Sequence, residues 1–460
     1  MNAGGVGYWW SSLGGPPPRR PPLERPREAD VAIVGAGYTG LWCAYYLKRA
    51  RPELEVVVLE REHAGFGASG RNGGWVSGFF SGPPRVYERA GAGADRGYGA
   101  LQALMFETVE EIAAVLADRR IEADFLQSGL LRVALGAAQE QRLAEELAQA
   151  RTRGLGEADL RWLDAAALRE RVSVAGARGA AFSPRVARVH PAKLLAGLAA
   201  AVEQMGVAIY EDTPVREIRP RQALTAAGVV RARWVVRATE GYTAGLPGLR
   251  RALVPMNSSM IVTEPLSPRA WRQIGWEGSE LLADDAHVYA YLQRTEDGRI
   301  AIGGRGVPYR FGSRTDRAGE TAGSTVASLH AKLLAMFPAA GDAQLAHTWS
   351  GVLGVARDWG VALDADPATG LAWAGGYVGE GVAASNLAAR ALCELILERP
   401  GRLARIAWVG RRPPRWEPEP LRWAEIGAVY SLYRLADRFE RRSGRPSRLG
   451  ALVDRACGRR

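Results

Sequence analysis

From residue 29 onward, the chain sorts into short apolar runs and longer stretches with a three-to-four-residue period. Positions 30–34 (DVAIV) and 55–60 (EVVVLE) are apolar runs edged by charge, the pattern of strands buried on both faces. Between them, 41–50 reads as a helix stopped by Arg51-Pro52, because proline disfavours helix in the residue before it. Together they make a strand–helix–strand unit of about 30 residues. Helical periodicity recurs at 101–119, 137–153, 191–205 (ended by Gly206), 324–337 and 382–397. Strands are predicted on either side of Ser128-Gly129 within 125–135, and at 207–210, 215–219, 231–239 and 371–376. Segments 287–294 and 299–303 form a hairpin around Glu296-Asp297-Gly298. The first 28 residues, with PPPRRPP at 16–22, read as an extended arm rather than a folded element, anchored by Tyr8, Trp9 and Trp10. Near the other end, 421–442 is amphipathic, with Ile426, Val429, Tyr430, Tyr433 and Leu435 as its apolar stripe. Such a helix is expected to pack on its own body, docking to a membrane surface or a partner being the other reading.

A chain of 460 residues is too long for one ordinary core and suits two interleaved domains. No apolar run approaches the roughly 20 residues of a membrane span, and the N-terminus lacks the apolar core of a secretory signal. The expected location is the cytoplasm. Cys43, Cys393 and Cys457 are far apart, and the five histidines form no ligand pattern; no metal or disulfide is expected. The net charge of +11 is almost all arginine, with lysine only at 48, 193 and 332. These arginines are spread along an Ala- and Gly-rich chain rather than clustered with stacking aromatics, which fits coding bias and argues against a nucleic-acid partner.

Three motifs carry chemistry. In VAIVGAGYTGLWCAYYL, Gly35 permits the sharp turn, Gly37 lets the backbone approach a pyrophosphate, and Gly40 lets helix and strand close. The helix start offers free N–H groups to phosphates. Glu60 lies twenty residues beyond Gly40 at the end of the next strand, where a carboxylate accepts ribose hydroxyls. GFGASGRNGGW (65–75) then supplies Ser69, Arg71 and Asn72 for phosphate or ring-edge contacts. More than three hundred residues later, AWAGGYVGEGVAASNLAARALCELI repeats a strand, a glycine loop and a helix. A second helix start in one cleft can stabilise charge on a reduced flavin, which favours FAD over NAD.

With these segments, RVHPAKLLAGLA, VVRATEGYT and DGRIAIGGRG, the chain resembles the FAD-dependent oxidoreductases of the D-amino-acid oxidase type, and within them the γ-glutamylputrescine oxidoreductase group. The resemblance runs from about 29 to 397. It implies an α/β fold: a Rossmann-like, glutathione-reductase-type FAD domain (29–100, 180–245 and 345–400) interleaved with a β-rich α+β substrate domain (101–179 and 246–344). The arm (1–28) and a basic tail (401–460) complete the chain. It also implies oxidation of a C–N bond of a small amine or amino-acid-like substrate to an imine, which water hydrolyses. By position, Gly35, Gly37 and Gly40 hold the pyrophosphate, Glu60 and Arg61 the ribose, and Ser69, Arg71 and Asn72 approach phosphates and flavin. Val215 meets adenine, and Gly376, Gly379, Gly381 and Val382 lie under the pyrimidine edge. Relatives commonly carry Asn where this chain has Glu240, which puts the local loop contact in question. No Cys lies near 349–380, position 69 is Ser, and His63 sits several residues too early, so FAD is expected to be non-covalent. With no lysine in the flavin motifs, oxygen and another electron acceptor both stay open.

On the substrate side, hydride loss next to a neutral amine needs shape, an aromatic wall and a group for any carboxylate. Tyr289 and Tyr291 share a strand face; Arg305, Tyr309, Trp349 and Arg357 complete the candidates. Each also has a plain structural reading, since Arg is usually solvated and strand Tyr usually packs. His287 and His347 are expected to be packed or exposed. Two other functions fit the same fold: a 2-hydroxy-acid dehydrogenase, which needs a base, usually His, and a flavin-holding non-catalytic subunit. No His falls in a flavin motif.

Overall fold

A computed structural model describes residues 1–88, 97–315 and 318–457; residues 89–96, 316–317 and 458–460, which belong to the segments 29–100, 246–344 and 401–460, lie outside it. Val31–Val34 is fully buried, and strand Arg27–Val34 pairs in parallel with Val56–Leu59, Val31 opposite Val56 and Val34 opposite Leu59. Tyr38–Ala50 crosses between them. This helix is buried from Tyr38 to Lys48; its apolar residues meet the sheet on one side and helix Gly381–Ile396 on the other. It starts three residues earlier than its periodicity predicts, because Gly37 is already the extended cap and Tyr38-Thr39-Gly40 form the first turn. Lys48 closes the far end, its Nζ donating to the carbonyls of Pro52 and Leu54.

The first sheet runs in the order Glu217–Arg219, Gln222–Thr225, Gly228–Arg237, Arg27–Val34, Val56–Leu59, Ala208–Tyr210. Leu371–Gly375 joins it in parallel beside the far end of Gly228–Arg237 (Val235 opposite Leu371), with Ala362–Asp366 antiparallel to it. Among the described residues a nine-stranded sheet has Val254–Thr263, Ile300–Gly304, Ala290–Arg294 and Leu281–Asp284 side by side at its centre, and Trp75–Ser77 pairs separately with Val186–Arg188. The hairpin turns where its Asp-Gly predicts, Ala290 opposite Gly304 and Arg294 opposite Ile300. Leu345–Val355, assigned from sequence to the flavin half, runs antiparallel to Val254–Thr263 in this larger sheet.

Two terminal segments differ from expectation. The arm is not wholly extended: Asn2–Ala3 pairs with His347 and Thr348, and Tyr8–Ser11 makes one helical turn. Trp9 and Trp10 are buried, as the aromatic anchor predicts. Helix Leu421–Ser443 lies on the body, but through Ile426, Tyr430, Tyr433 and Ala436, while Leu435 is half exposed. The buried positions follow the helical period from Ile426, and that period carries Leu435 to the opposite face.

Candidate active site

The ends of the parallel strands open into a cleft that the glycines shape. Gly35 has φ 107°, and a Cβ there would meet the Ala238 carbonyl oxygen at 2.7 Å. A Cβ on Gly40 would lie 1.9 Å from the Gly35 carbonyl oxygen, so strand and helix meet as closely as backbone allows. Ser69 Oγ accepts from the Tyr38 N–H at 3.0 Å and ties the second glycine loop to this helix start. Glu60 lines the cleft and accepts from the backbone N–H groups of Ala36 (2.8 Å) and Glu62 (2.9 Å). Burial pushes its carboxyl up to about 7, against the pull of the Ala36 N–H. Arg61 lies over the Tyr242 ring at 5.0 Å. Both line the cleft, as do Gly37, Asn72 and Val215 and, from the opposite wall, Gly379, Gly381 and Val382. Gly376 does not line the cleft; its N–H donates to the Glu240 carboxylate.

Glu240 explains its own departure from the pattern. Its backbone is left-handed, with φ 40°. Its carboxylate accepts from the N–H groups of Gly376 and Tyr377, both at 3.0 Å. A longer side chain than Asn thus joins the end of strand Gly228–Arg237 to the distant glycine loop. Burial pushes this carboxyl up to about 7, with the two N–H groups acting against it.

Beyond Asn72 and Val382 the cleft gives onto a chamber that holds three of the six substrate-side candidates, Tyr289, Tyr291 and Arg305, with Ser258 and Glu380. Tyr291 is wedged: a Cβ on Gly73 would meet its ring at 2.8 Å, and one on Gly303 at 2.3 Å. Its hydroxyl shares a hydrogen bond with Ser258 at 2.9 Å, and burial pushes it up to about 12. Arg305 donates through Nη2 to the Val378 carbonyl at 3.1 Å, while Nη1 is buried without a partner. Glu380 sits between Gly379 and Gly381 at the start of helix Gly381–Ile396. Burial raises its carboxyl, and the Ser77 hydroxyl and Arg132 pull it back. Tyr289 and Glu380 also line an outer cavity of about 690 Å³.

The other three candidates lie elsewhere. Tyr309 donates to Glu419 (2.5 Å) and accepts from Arg422 (2.8 Å), tying the C-terminal helix down. Arg357 is held by Glu417 and Glu425. Trp349 is fully buried, and its Nε1 donates to the Arg71 carbonyl at 2.9 Å; it supports the glycine loop from behind. The arm adds to that support: Trp9 Nε1 donates to the Asn72 carbonyl (2.7 Å) and Arg71 Nη2 to the Gly5 carbonyl (3.1 Å). Arg71 therefore lines the chamber with its guanidinium turned to the arm and lying over Phe66. His347 bonds to the Gly4 carbonyl, and His287 to Glu440 and Arg142. His287, Asp437 and Glu440 bring three ligand-type atoms within 4.8 Å, but the Arg142 guanidinium already neutralises Glu440.

A family model described as FAD dependent oxidoreductase matches residues 30–395, which include every motif of this cleft. The chain belongs to that family. It is 32% identical over 420 residues to the γ-glutamylputrescine oxidoreductase of Escherichia coli, covering 89% of this chain and 93% of the relative. It is 28% identical to a probable oxidoreductase, OrdL, of Haemophilus influenzae, covering 84% and 86%. The crystal structure of glycine oxidase from Geobacillus kaustophilus shares the fold, with a TM-score of 0.68 at 21% identity, over 82% of this chain and 96% of that one. The protein is thus an FAD-dependent oxidoreductase.

The residues present fit FAD. Gly37 lines the cleft, where a Cβ would crowd Ser69 Oγ at 2.9 Å, and Gly40 lets the helix start close on the strand behind it. Glu60 stands at the strand end for ribose hydroxyls, and two helix starts, Tyr38 and Gly381, border one cleft. Glu380 escaped the sequence reading although both glycines beside it were chosen. Nothing local shows that its side chain turns into the chamber.

Proposed function

We propose that this enzyme holds FAD non-covalently and oxidises the C–N bond of a small amine or amino-acid-like molecule to an imine, which water hydrolyses. The observation that carries this is the placement of Glu380 and Arg305 on one chamber with an aromatic wall. FAD, when bound, supplies the two-electron acceptor. The protein's part is binding, orientation and proton handling. Glu380 receives the substrate ammonium, and its raised carboxyl can take that proton, leaving the neutral amine from which hydride departs. Arg305 Nη1 is a buried donor suited to a substrate carboxylate or another anionic oxygen. Tyr289 and Tyr291 give the carbon chain its walls. The support for non-covalent attachment is that no Cys or His lines the cleft or the chamber among the described residues. The same lining favours amine over hydroxy acid, since no imidazole stands there to take a hydroxyl proton.

The test is an anaerobic titration of the purified yellow protein with polyamines, γ-glutamylated amines, N-methylated amino acids and glycine. Bleaching by one of them supports C–N oxidation, and air then separates oxidase from dehydrogenase. Bleaching only by a hydroxy acid would overturn the assignment, and bleaching by nothing would favour a non-catalytic flavin subunit.

A further inference from the structure

Arginine is spread along the sequence, but the charge surplus is not. Residues 401–460 hold fifteen arginines and six acidic residues, nine of the chain's eleven net positive charges. Helices Leu421–Ser443 and Arg448–Cys457 sort them by direction. Their four acidic side chains face inward partners: Glu425 pairs with Arg357, Asp437 accepts from the His287 and Val288 N–H groups, Glu440 pairs with Arg142, and Asp454 accepts from Tyr433. Arg434, Arg438, Arg441 and Arg442 on the first helix and Arg445 in the turn after it are all exposed, while Arg422 at the helix start is buried and paired with Glu419.

The same exposed side carries apolar residues that the body does not cover. Leu421, Leu432, Leu435 and Phe439 follow one another at offsets of 0, 11, 14 and 18, which a 3.6-residue repeat brings to one line. Leu421, Leu435 and Phe439 are at least half exposed, and Leu452 on the second helix is 64% exposed. At the near end, Phe311 and Trp423 form an exposed edge-to-face pair with ring centres 6.2 Å apart. Arg434, Arg438 and Arg442 run along one flank of the apolar line.

We propose that this face docks the enzyme on an anionic lipid bilayer surface. A helix of 23 residues with one apolar line and a flanking row of guanidinium groups suits a position in the interfacial plane. Arginine takes phosphate oxygens in a fork that matches its planar donors, and Trp and Phe suit the headgroup boundary. A second copy of the chain is a poorer occupant, since two such faces meeting would oppose their arginine rows with no exposed acid on either helix to compensate. The attachment is peripheral, because no helix among the described residues is long and apolar enough to cross a membrane.

The test is flotation of the full-length, FAD-loaded enzyme with phosphatidylcholine vesicles, with and without phosphatidylglycerol at about one quarter of the lipid. The enzyme is expected to float only with the anionic vesicles and to be released near about 1 M salt, where charge attraction is screened. A Leu435→Glu/Phe439→Glu variant and an Arg438→Glu/Arg442→Glu variant should each lose at least tenfold in the bound-to-free ratio, with turnover on a soluble acceptor unchanged. Failure of the wild type to float at low salt would overturn the proposal, as would flotation that survives both variants. A wild-type dimer that Leu435→Glu/Phe439→Glu converts to monomer, without lipid binding, would give the face to a second copy instead.

Discussion

Trp9 offers the sharpest test of how the arm serves the cofactor site. Its side chain is fully buried, edge-on to Trp349 and His190, and its Nε1 donates to the Asn72 carbonyl inside the second glycine loop. Trp9→Ala removes a large buried ring and is expected to cost about 3–5 kcal/mol. Trp9→Phe keeps most of the ring but deletes the donor, at about 1 kcal/mol. If the arm biases loop 65–75 toward its bound shape, part of that loss belongs to FAD binding, and by reciprocity FAD must stabilise the arm equally. Coupling of about 1–3 kcal/mol would raise the FAD dissociation constant about 5- to 150-fold. Two measurements decide it: FAD affinity by flavin fluorescence, and denaturant unfolding of each variant with and without excess FAD. Equal stability losses in apoprotein and holoprotein, with FAD affinity unchanged, would refute the reasoning and leave the arm as ordinary packing.

Further predictions concern the cleft and the chamber. Gly40→Ala should yield protein without visible flavin absorbance, because the new methyl meets the Gly35 carbonyl at 1.9 Å; normal FAD content would contradict the geometry. For Glu60, the folded carboxyl titrates near 7 and the unfolded one near 4.5. Between those values the folded apoprotein holds a proton that the unfolded chain has released, so this group's contribution to apoprotein stability falls as pH rises through that window. Ribose hydroxyls favour the ionised form, so FAD affinity should rise by up to about tenfold per pH unit below 7, and Glu60→Gln should flatten that dependence in a calorimetric titration. Glu380→Gln should retain FAD and raise KM for a cationic amine about tenfold, the loss of about 1.4 kcal/mol of charge-assisted bonding, with an altered pH profile of kcat/KM. Arg357→Ala should leave kcat/KM within about twofold, since its guanidinium is committed to Glu417 and Glu425.

What was legible in the sequence is what short-range spacing dictates. Gly35, Gly37, Gly40 and Glu60 fall within one strand–helix–strand unit, so their separations determine their geometry: Gly35, Gly37 and Glu60 line the cleft, and Gly40 closes the helix on the strand. Tyr291 was legible for the same reason, on strand Ala290–Arg294, and Tyr289, just before that strand, lines the same chamber. Tyr309 and Arg357 carry equally suitable chemistry, but their partners are Glu417, Glu419, Arg422 and Glu425, more than sixty residues later for most of these pairs, on a segment whose docking no local pattern announces. The arm shows the same limit. Its prolines predict extension, and nothing nearby reveals that Asn2–Ala3 finds an open edge at His347 and Thr348.

Glu240 and Tyr291 show why long-range pairing matters more here than the number of motifs. The second glycine loop is gripped from the substrate side as well as by the arm: Gln293 donates to the Gly73 and Gly74 carbonyls, Trp349 to the Arg71 carbonyl, and the Tyr291 ring fills the space a Cβ on Gly73 would need. From the other direction, Glu240 holds the 376–377 backbone to the end of strand Gly228–Arg237. The walls that would meet substrate and the loops that would meet cofactor are therefore packed directly against each other. A side-chain change that shifts Tyr291 must also move Gly73, because close-packed interiors transmit displacement instead of absorbing it. Enlarging the chamber by shortening Tyr291 to admit a bulkier amine should thus weaken FAD binding, whereas shortening Tyr289, which is 41% exposed and lines the outer cavity, should leave FAD in place.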